Sequence, residues 1–412
     1  MIYGLIGERL GHSFSAEIHA RLGKEPYELR ELPPEAVGDF LRGRDFRGIN
    51  VTIPYKQAVI PYLDGISETA REIGAVNTVV RRDGKLYGDN TDAFGLAMLL
   101  RRTGADVRGK KVLILGTGGT AHTAKYTAER LGAGAVIRVS RSGRDGAVTY
   151  AQAAVEHRDA RILINTTPCG MYPDAGGCPV NIGDYPDLEA VADAVYNPLR
   201  TNLVLEARKR GIPAEGGLFM LTAQAVKAAE LFRGTTYPEG MADRIYRELL
   251  LEKENIVLTG MPGSGKSTVA AVLQARTGRE WADTDDLIVK AAGKSIPEIF
   301  WEDGEQAFRD MESAVIAEVS SRGGQIISTG GGAVLRPENV QALKRNGRLV
   351  LLERAAEMLV PTAGRPLADT REKMDRLWRE REPVYRAAAD ITVRPCGTPE
   401  DAAAEIESRW NA

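Results

Sequence analysis

The chain has 412 residues, which exceeds the size of one ordinary hydrophobic core and predicts two or three domains. Apolar residues make up 43% and charged residues 27%, a composition typical of a globular protein rather than a disordered one. The formal net charge of −2 argues against a basic surface for nucleic acid or anionic membranes, so we expect neither as a partner.

The sequence features that depend on cellular location favour the cytoplasm. The longest apolar runs have the length of strands, and the amino terminus MIYGLIGERL lacks a basic segment followed by an apolar one. The cysteines, Cys169, Cys178 and Cys396, show no CxxC spacing and no paired framework. We therefore expect free thiols in a reducing compartment.

Short β-branched runs alternate with helical periodicity almost throughout, which predicts an α/β protein with parallel sheets. About a hundred residues precede the first glycine-rich turn, enough for an α/β domain of their own. This region carries the polar segments GHSFS (11–15), NVTIPYK (50–56), GAVNT (74–78) and GDNTD (88–92). Three more segments follow later: NTTPCGM (165–171), DAVYNPLRT (193–201) and GGLFMLTAQA (216–225).

The strand KKVLIL runs into a turn with the pattern Gly116-x-Gly118-x-x-Ala121. A strand before the turn and a helix after it form the context of a dinucleotide site, in which glycines let the backbone approach a pyrophosphate. The next strand ends in Ser140 and Arg141, with Arg144 close behind, where an NAD site would have a carboxylate. Because guanidinium groups match phosphate geometry, we expect NADP. The predicted cofactor residues here are Gly116, Thr117, Gly118, Gly119, Thr120, Ser140, Arg141 and Arg144.

Residues 240–255 read as a helix with a charged exit, and no Gly/Ser or Pro-rich linker follows it. NIVLT is a second strand that runs into a glycine-rich turn. It leads into Gly260-x-x-x-x-Gly265-Lys266-Ser267, a complete phosphate-binding loop. Its backbone amides would hold the phosphates of ATP, Lys266 would neutralise their charge, and Ser267 would bind Mg²⁺. The predicted ATP-binding residues of this loop are Gly263, Ser264, Gly265, Lys266, Ser267 and Thr268.

Polar groups after the phosphate loop indicate an acceptor site. Asp283 and Asp285 follow a short strand, and Arg309 shares one helix face with Glu312. A glycine cluster at 330–332 follows QIIST, and Arg365 and Arg381 come later.

The seven ordered segments of the first 250 residues closely resemble the shikimate dehydrogenase family. The resemblance implies that Ser13 and Ser15 hold the substrate carboxylate and that Lys56 and Asp92 form the catalytic pair. It implies that the hydroxyls on the ring of the substrate are contacted by Thr52, Asn77, Tyr196 and Gln224. Gly217 would lie near the nicotinamide. The chain departs from the family at Ala16 and Thr117, neither of which touches the chemistry.

Residues 255–412 resemble shikimate kinase. The resemblance implies that Asp285 is catalytic and binds the ring hydroxyls of shikimate, while Asp283 holds Mg²⁺ through water. The carboxylate would be clamped by Arg309 and Arg381, and the backbone of Gly331 and Gly332 would approach the ring. Arg365 would close over ATP from a lid, although this lid is short and the stretch before Arg365 is sparse in basic residues.

Together these features predict three structural units: a substrate domain (1–95, with returning helices at about 217–250), a Rossmann-type NADP domain (96–216) and a P-loop kinase domain (253–412). The implied activities are consecutive: NADPH reduces 3-dehydroshikimate to shikimate, and Mg-ATP phosphorylates shikimate. Two alternatives remain at this point. The substrate could be quinate or another polyol, or the chain could be a nucleotide-gated sensor, against which the presence of Lys56 and Lys266 argues. Whether Lys56 carries the proton or orients the substrate is also open.

Overall fold

The computed structural model describes residues 2–11, 13–354, 359, 370–394 and 397–411. Arg365 and Cys396, which were singled out from the sequence, and His12 of the GHSFS segment lie outside these residues. The chain forms two compact units, Met1–Glu248 and Leu249–Ala412. The predicted α/β class with parallel sheets is confirmed in both units.

The first sheet of unit one has the strand order β2-β1-β3-β5-β6-β4. Its strands are β1 (Tyr3–Gly7), β2 (Tyr27–Glu31), β3 (Gly48–Val51), β4 (Gly65–Ile66), β5 (Thr78–Arg82) and β6 (Lys85–Asp89). Strands β1, β2 and β3 run parallel, whereas β5 pairs antiparallel with both β3 and β6. The helices of this part are α1 (Ser15–Leu22), α2 (Pro34–Gly43), α3 (Glu68–Ile73) and α4 (Thr91–Arg102). The predicted domain boundary at residue 95 falls inside α4.

The second sheet is entirely parallel and has the order β12-β11-β10-β7-β8-β9. Read from its other edge, this is the 3-2-1-4-5-6 order of doubly wound dinucleotide-binding folds. Its strands are β7 (Lys111–Leu115), β8 (Ala135–Ser140), β9 (Val148–Thr149), β10 (Ile162–Asn165), β11 (Ala190–Asp193) and β12 (Ala214–Glu215). Its helices are α5 (Gly119–Arg130), α6 (Tyr150–Glu156) and α7 (Asn202–Lys209). Buried Leu113, Leu163 and Val191 of adjacent strands form its core.

Helix α8 (Leu218–Arg233) leaves the second sheet and packs on the first one. Phe232 near its end stacks on Tyr3 of β1, with ring centroids 5.3 Å apart. Helix α9 (Met241–Lys253) follows and runs without a break across the division between Glu248 and Leu249. The compact units therefore divide four residues ahead of the predicted start of the kinase domain at residue 253.

Unit two contains a parallel sheet with the order β14-β15-β13-β16-β17. Its strands are β13 (Asn255–Thr259), β14 (Trp281–Asp283), β15 (Ile326–Ser328), β16 (Gly347–Leu352) and β17 (Ile391–Val393). Its helices are α10 (Lys266–Thr277), α11 (Thr284–Ala292), α12 (Ile296–Glu302), α13 (Gly304–Val319), α14 (Pro337–Asn346), α15 (Arg371–Ala388) and α16 (Pro399–Asn411). Among the helices described in either unit, none is long and apolar enough to cross a bilayer.

Candidate active sites

Lys56 and Asp92 form an ion pair in unit one. Lys56 follows β3, and Asp92 lies in the first turn of α4, whose start is fixed because Asn90 caps it by accepting from the Ala93 amide. Lys56 Nζ donates to Asp92 Oδ2 across 2.6 Å, and both side chains are largely buried. An ammonium group at this position can donate a proton or a hydrogen bond to a substrate oxygen.

A buried polar network lies next to this pair. Asn77 Oδ1 accepts from the backbone amide of Thr91 at 2.7 Å, and its amide donates to Thr91 Oγ1 at 3.1 Å and to Gln224 Oε1 at 3.4 Å. The structure thus brings Asn77 and Gln224 together from residues 147 positions apart. Thr78 and Asn50 extend the network, because Thr78 Oγ1 donates to Asn77 Oδ1 and accepts from Asn50 Nδ2. Sequence reasoning missed Thr91, Thr78 and Asn50, although all three lie in the quoted segments.

The serine segment lies at the start of α1. Ser13 Oγ donates to Ser15 Oγ at 3.0 Å, so the two hydroxyls are neighbours. Phe14 between them contacts the ring of Tyr196, with centroids 5.5 Å apart, and this places the serines beside the segment that follows β11. Thr52 lies at the exit of β3, where its amide donates to the Ile6 carbonyl at 3.0 Å.

The dinucleotide turn joins β7 to α5. Gly116 has φ +112°, and a Cβ there would lie 2.7 Å from Thr166 Oγ1, so this position requires glycine. Helix α5 starts at Gly119 with Gly118 as its N-cap. Apart from the chain neighbours and the backbone of the helix itself, no atom of the described residues lies within 4 Å of a Cβ built at either position. Thr117 and Thr120, which flank these glycines, are partly buried. The start of α5 therefore leaves room for a ligand beside its two glycines, as a pyrophosphate site requires.

The predicted NADP-selective residues follow β8. Ser140 ends the strand and accepts from the Gly143 amide at 3.1 Å, which closes the turn. Arg141 and Arg144 are both exposed at this turn, next to the exit of the neighbouring strand β7. Their positions fit a 2′-phosphate on the ribose of a bound dinucleotide.

Gly217 is held against the exit of β11. Its amide donates to the Val195 carbonyl at 2.8 Å, and a Cβ at this position would lie 2.2 Å from the Ala194 carbonyl oxygen. Only glycine fits such a close backbone contact. The start of α8 is therefore fixed beside Tyr196, between the two sheets of unit one.

Asp193, at the end of β11, was missed by sequence reasoning. Its buried carboxylate accepts from Thr201 Oγ1 at 2.6 Å, Asn165 Nδ2 at 2.9 Å and the Val195 amide at 3.0 Å. Burial raises its pKa to about 6, against the opposing effect of these hydrogen bonds. The carboxylate ties the exit of β10 to the segment that carries Tyr196. The only sequence signal for Asp193 was that it is the first residue of the DAVYNPLRT segment.

The phosphate loop of unit two connects β13 to α10. Gly260, Gly263 and Gly265 all have positive φ, and a Cβ on Gly260 would lie 2.7 Å from the Leu352 carbonyl. Within the loop, Ser264 is buried and Thr268 is exposed. Lys266 Nζ donates to the carbonyls of Gly260 and Met261 at 2.9 and 3.0 Å, so its ammonium lies within the loop.

The residues predicted to bind Mg²⁺ lie together at this loop. Ser267 Oγ donates to Asp283 Oδ2 at 3.0 Å, and Ser328, which the sequence analysis missed, donates to the same oxygen at 2.6 Å. In the described part of the chain, no cluster of three or more His, Cys, Asp or Glu side chains could hold a metal. A hydroxyl and a carboxylate fit Mg²⁺, which takes one or two protein oxygens and completes its shell with phosphates and water.

The glycine cluster 330–332 lies among the predicted acceptor residues. Cβ atoms built on two of its members would lie 2.6 Å from Asp285 Oδ1 and 2.1 Å from Arg309 Nη1. Arg381 Nη1 donates to the Gly331 carbonyl at 2.9 Å, and the Tyr385 hydroxyl donates to the same oxygen. A Cβ on Gly331 would lie 2.9 Å from Pro262, so the cluster also contacts the phosphate loop. The structure thus assembles Asp285, Arg309, Gly331, Gly332 and Arg381 beside the loop.

These arrangements define two classes of enzyme on one chain. Unit one combines a doubly wound dinucleotide fold with a lysine–carboxylate pair, as an oxidoreductase would. Unit two combines a phosphate loop with an arginine-rich acceptor site, as a small-molecule kinase would.

Comparison with known proteins agrees with both classes. Residues 5–79 match the family model "Shikimate dehydrogenase substrate binding domain", and residues 262–410 match "Shikimate kinase". The NADP(+) shikimate dehydrogenase of Clostridium perfringens is 37% identical over 266 residues, which cover 60% of this chain and 98% of that protein. The chain belongs to the shikimate dehydrogenase family. Because a shikimate kinase domain follows in the same chain, it is a bifunctional enzyme of the shikimate pathway.

Solved structures of shikimate dehydrogenases are also similar to this chain. A chorismate mutase/shikimate 5-dehydrogenase fusion protein from Clostridium acetobutylicum is 33% identical, with a TM-score of 0.58 over 60% of this chain and 96% of that one. The shikimate 5-dehydrogenase of Thermus thermophilus, solved with NADP(H) and shikimate, is 32% identical, with a TM-score of 0.54 over 60% and 99%. The predicted pairing of an NADP-dependent oxidoreductase with an ATP-dependent kinase is therefore confirmed.

Proposed function

We propose that unit one reduces 3-dehydroshikimate to shikimate with NADPH and that unit two phosphorylates shikimate at its 3-hydroxyl with Mg-ATP. The observation that supports this proposal is that the proposed catalytic groups of both reactions lie close to one another within their own units. The Lys56–Asp92 pair closes at 2.6 Å in unit one, and the glycine cluster of unit two is surrounded by Asp285, Arg309 and Arg381.

In the reductive step, bound NADPH supplies the hydride. The alkoxide that forms on the substrate needs a proton, and the Lys56 ammonium, held by Asp92, is placed to give it or to polarise the carbonyl beforehand. Asn77 and Gln224 offer amide groups to the ring hydroxyls. Their network with Thr91 fixes these amides before the substrate binds, which reduces the reorganisation needed at the reacting centre.

The substrate carboxylate of the reductive step is assigned to Ser13 and Ser15. Both hydroxyls lie within 3.0 Å of each other and can turn from their mutual hydrogen bond to the carboxylate oxygens. Tyr196 borders this position through its contact with Phe14, and burial raises the pKa of its phenol. Tyr196 therefore stays a neutral hydrogen-bond donor at physiological pH.

In the phosphoryl transfer, Asp285 accepts a hydrogen bond from the 3-hydroxyl and orients it toward the phosphate loop. Arg309 and Arg381 bind the carboxylate of shikimate through their guanidinium forks. Lys266 neutralises charge on the transferring phosphoryl group. Ser267 and Asp283 would hold Mg²⁺, which would supply positive charge against the phosphates. Arg365, assigned from the sequence to the ATP lid, stays a prediction.

These assignments imply small-molecule partners, with neither nucleic acid nor membrane involved, in the cytoplasm. One coupled assay tests the whole proposal: the purified chain is given 3-dehydroshikimate, NADPH and Mg-ATP, and the product is identified by mass. We expect one NADPH and one ATP consumed for each shikimate 3-phosphate formed. Quinate offered in place of shikimate should react roughly tenfold more slowly or worse, because a site built around one set of hydroxyls discriminates against another. Consumption of neither cofactor would overturn the proposal.

A further inference from the structure

Arg354 lies against the phosphate loop. It lies two residues after the end of β16, and its Nη2 and Cζ atoms lie 3.7 and 3.9 Å from the point where a Cβ on Gly265 would stand. Gly265 is the N-cap of α10, so the guanidinium is next to the amides that receive phosphate. The Nε atom of Arg354 is buried, and among the described residues it has no hydrogen-bond acceptor. A buried donor of this kind costs free energy unless a ligand satisfies it.

The charge of Arg354 is not neutralised by the acid beside it. Glu353 is buried, and its Oε1 accepts from Arg386 Nη2 at 2.7 Å while its Oε2 accepts from Arg394 Nε at 2.5 Å. Both oxygens of the carboxylate are thus engaged by other guanidinium groups. The following ten residues, 355–364, contain no lysine or arginine. Arg354 is therefore the nearest basic residue before Arg365 that the chain places at this edge of the phosphate loop.

We propose that Arg354 is a phosphate-binding residue of the kinase site, which donates from Nε and Nη2 to the phosphate chain of ATP and ADP. This inference rests on the proposed kinase function. A guanidinium presents parallel N–H groups that match two phosphate oxygens, and at this position it supplements the single cation of Lys266. It supplies positive charge where the sequence before Arg365 offers little.

The test uses the full-length protein. Arg354→Ala should raise the Kd for ADP about tenfold to a hundredfold and raise the KM for ATP similarly, while the KM for shikimate stays within about twofold. Arg354→Lys, which keeps the charge but loses the fork, should recover part of the affinity. Arg376→Ala removes an exposed arginine of α15 and serves as the matched control, with an expected change in ADP affinity below about twofold. The unchanged KM for shikimate shows that the kinase unit is folded.

Inorganic tripolyphosphate separates contact with the phosphates from contact with the base. Tripolyphosphate should inhibit in competition with ATP. Its inhibition constant should rise in Arg354→Ala by the same factor as the Kd for ADP. If ADP binding weakens and tripolyphosphate inhibition does not, the arginine contacts the base or ribose, and the proposal is overturned. An unchanged ADP Kd in Arg354→Ala also overturns it and leaves the kinase function standing. A wild-type protein that bound no ADP would overturn the kinase function itself.

Discussion

The carboxylate of Glu312 lies fully buried on α13, 2.8 Å from the guanidinium of Arg309, one turn away on the same helix. Burial raises the pKa of this carboxyl, and the Arg309 cation opposes the rise. The same guanidinium also meets Glu305 at 3.2 Å, but that carboxylate is 54% exposed. One arginine of the proposed shikimate site is thus held by one buried acid and one exposed acid.

This asymmetry predicts unequal effects of two matched substitutions. Glu312→Gln should raise the KM for shikimate in the kinase reaction about tenfold or more, because a buried partner of the arginine loses its charge. Glu305→Gln should change it less than about twofold, because exposed ion pairs contribute little. Steady-state kinetics of both variants, with dehydrogenase activity as an internal control, measure the difference. Equal effects would contradict the assignment of Glu312 as the residue that positions Arg309.

The exposed arginines after β8 predict a preference for NADPH. Arg141→Ala should weaken NADPH binding about tenfold to a hundredfold, since one charge-assisted phosphate contact is lost, and should barely change NADH binding. Titration of the nicotinamide fluorescence gives both Kd values. Arg130→Ala, which removes an exposed arginine at the end of α5, is the control. Equal weakening of NADPH and NADH would show that Arg141 does not face the 2′-phosphate.

The two lysines should act independently. Lys56→Ala should lower dehydrogenase turnover by roughly 10²–10⁴ and leave phosphorylation of added shikimate intact. Lys266→Ala should lower kinase turnover by about 10²–10³ and spare the dehydrogenase. Separate assays of each half-reaction on both variants provide the measurement. A folded variant that lost both activities would refute the separation of the sites.

His19 predicts an acid-sensitive fold in unit one. It stacks on Tyr27 at 3.9 Å, and burial, aided by the Arg233 cation, lowers its pKa from 6.5 to about 3. Because the folded pKa lies below the unfolded one, its contribution to stability is present above pH 6.5 and is lost as the pH falls toward 3. The free energy of unfolding should therefore drop by roughly 1.4 kcal/mol per pH unit in this window through His19 alone.

Two histidine variants check this pH dependence. His19→Leu cannot take up the proton, so its unfolding free energy, measured in urea from about pH 4 to 7, should fall less steeply than that of the wild type. His122→Leu replaces an exposed histidine of α5 and should keep the wild-type slope. If the free energy of unfolding falls equally steeply with pH in all three proteins, His19 is not the source of the acid sensitivity.

The division at Glu248 and Leu249 predicts where the kinase can be excised. Leu251 packs against the core of unit two, its carbonyl accepts from Arg279, and the Lys253 carbonyl accepts from the Gly324 amide at 2.8 Å. A fragment 249–412 should therefore melt several degrees above a fragment 254–412, because the shorter one lacks these contacts. Differential scanning calorimetry makes the comparison. Identical melting temperatures would mean that the end of α9 adds nothing to the kinase fold.

Much of the fold and many of the site positions follow from local patterns. A strand that runs into a glycine-rich turn and then a helix predicts the position of a phosphate site, as Gly116 and Gly265 illustrate. The pairing of Lys56 with Asp92 came from family resemblance, since spacing alone does not bring positions 36 apart together. The burial of Asp193 and Glu312, and the effect of burial on their pKa values, depends on side chains that pack from distant segments. A helix over residues 240–255 was predicted, but the position of the unit division inside α9 has no mark in its composition.

Helix α9 belongs to both folds. Tyr246 packs edge-to-face on Phe219 in unit one, with ring centroids 5.4 Å apart, and Leu251 packs in unit two. Only four residues separate these two side chains, and all of them are helical. The chain therefore passes from one core into the other without the exposed flexible linker at which proteases usually cut. Limited proteolysis should accordingly leave this junction of the fusion intact, whereas a flexible linker between domains would be cleaved first.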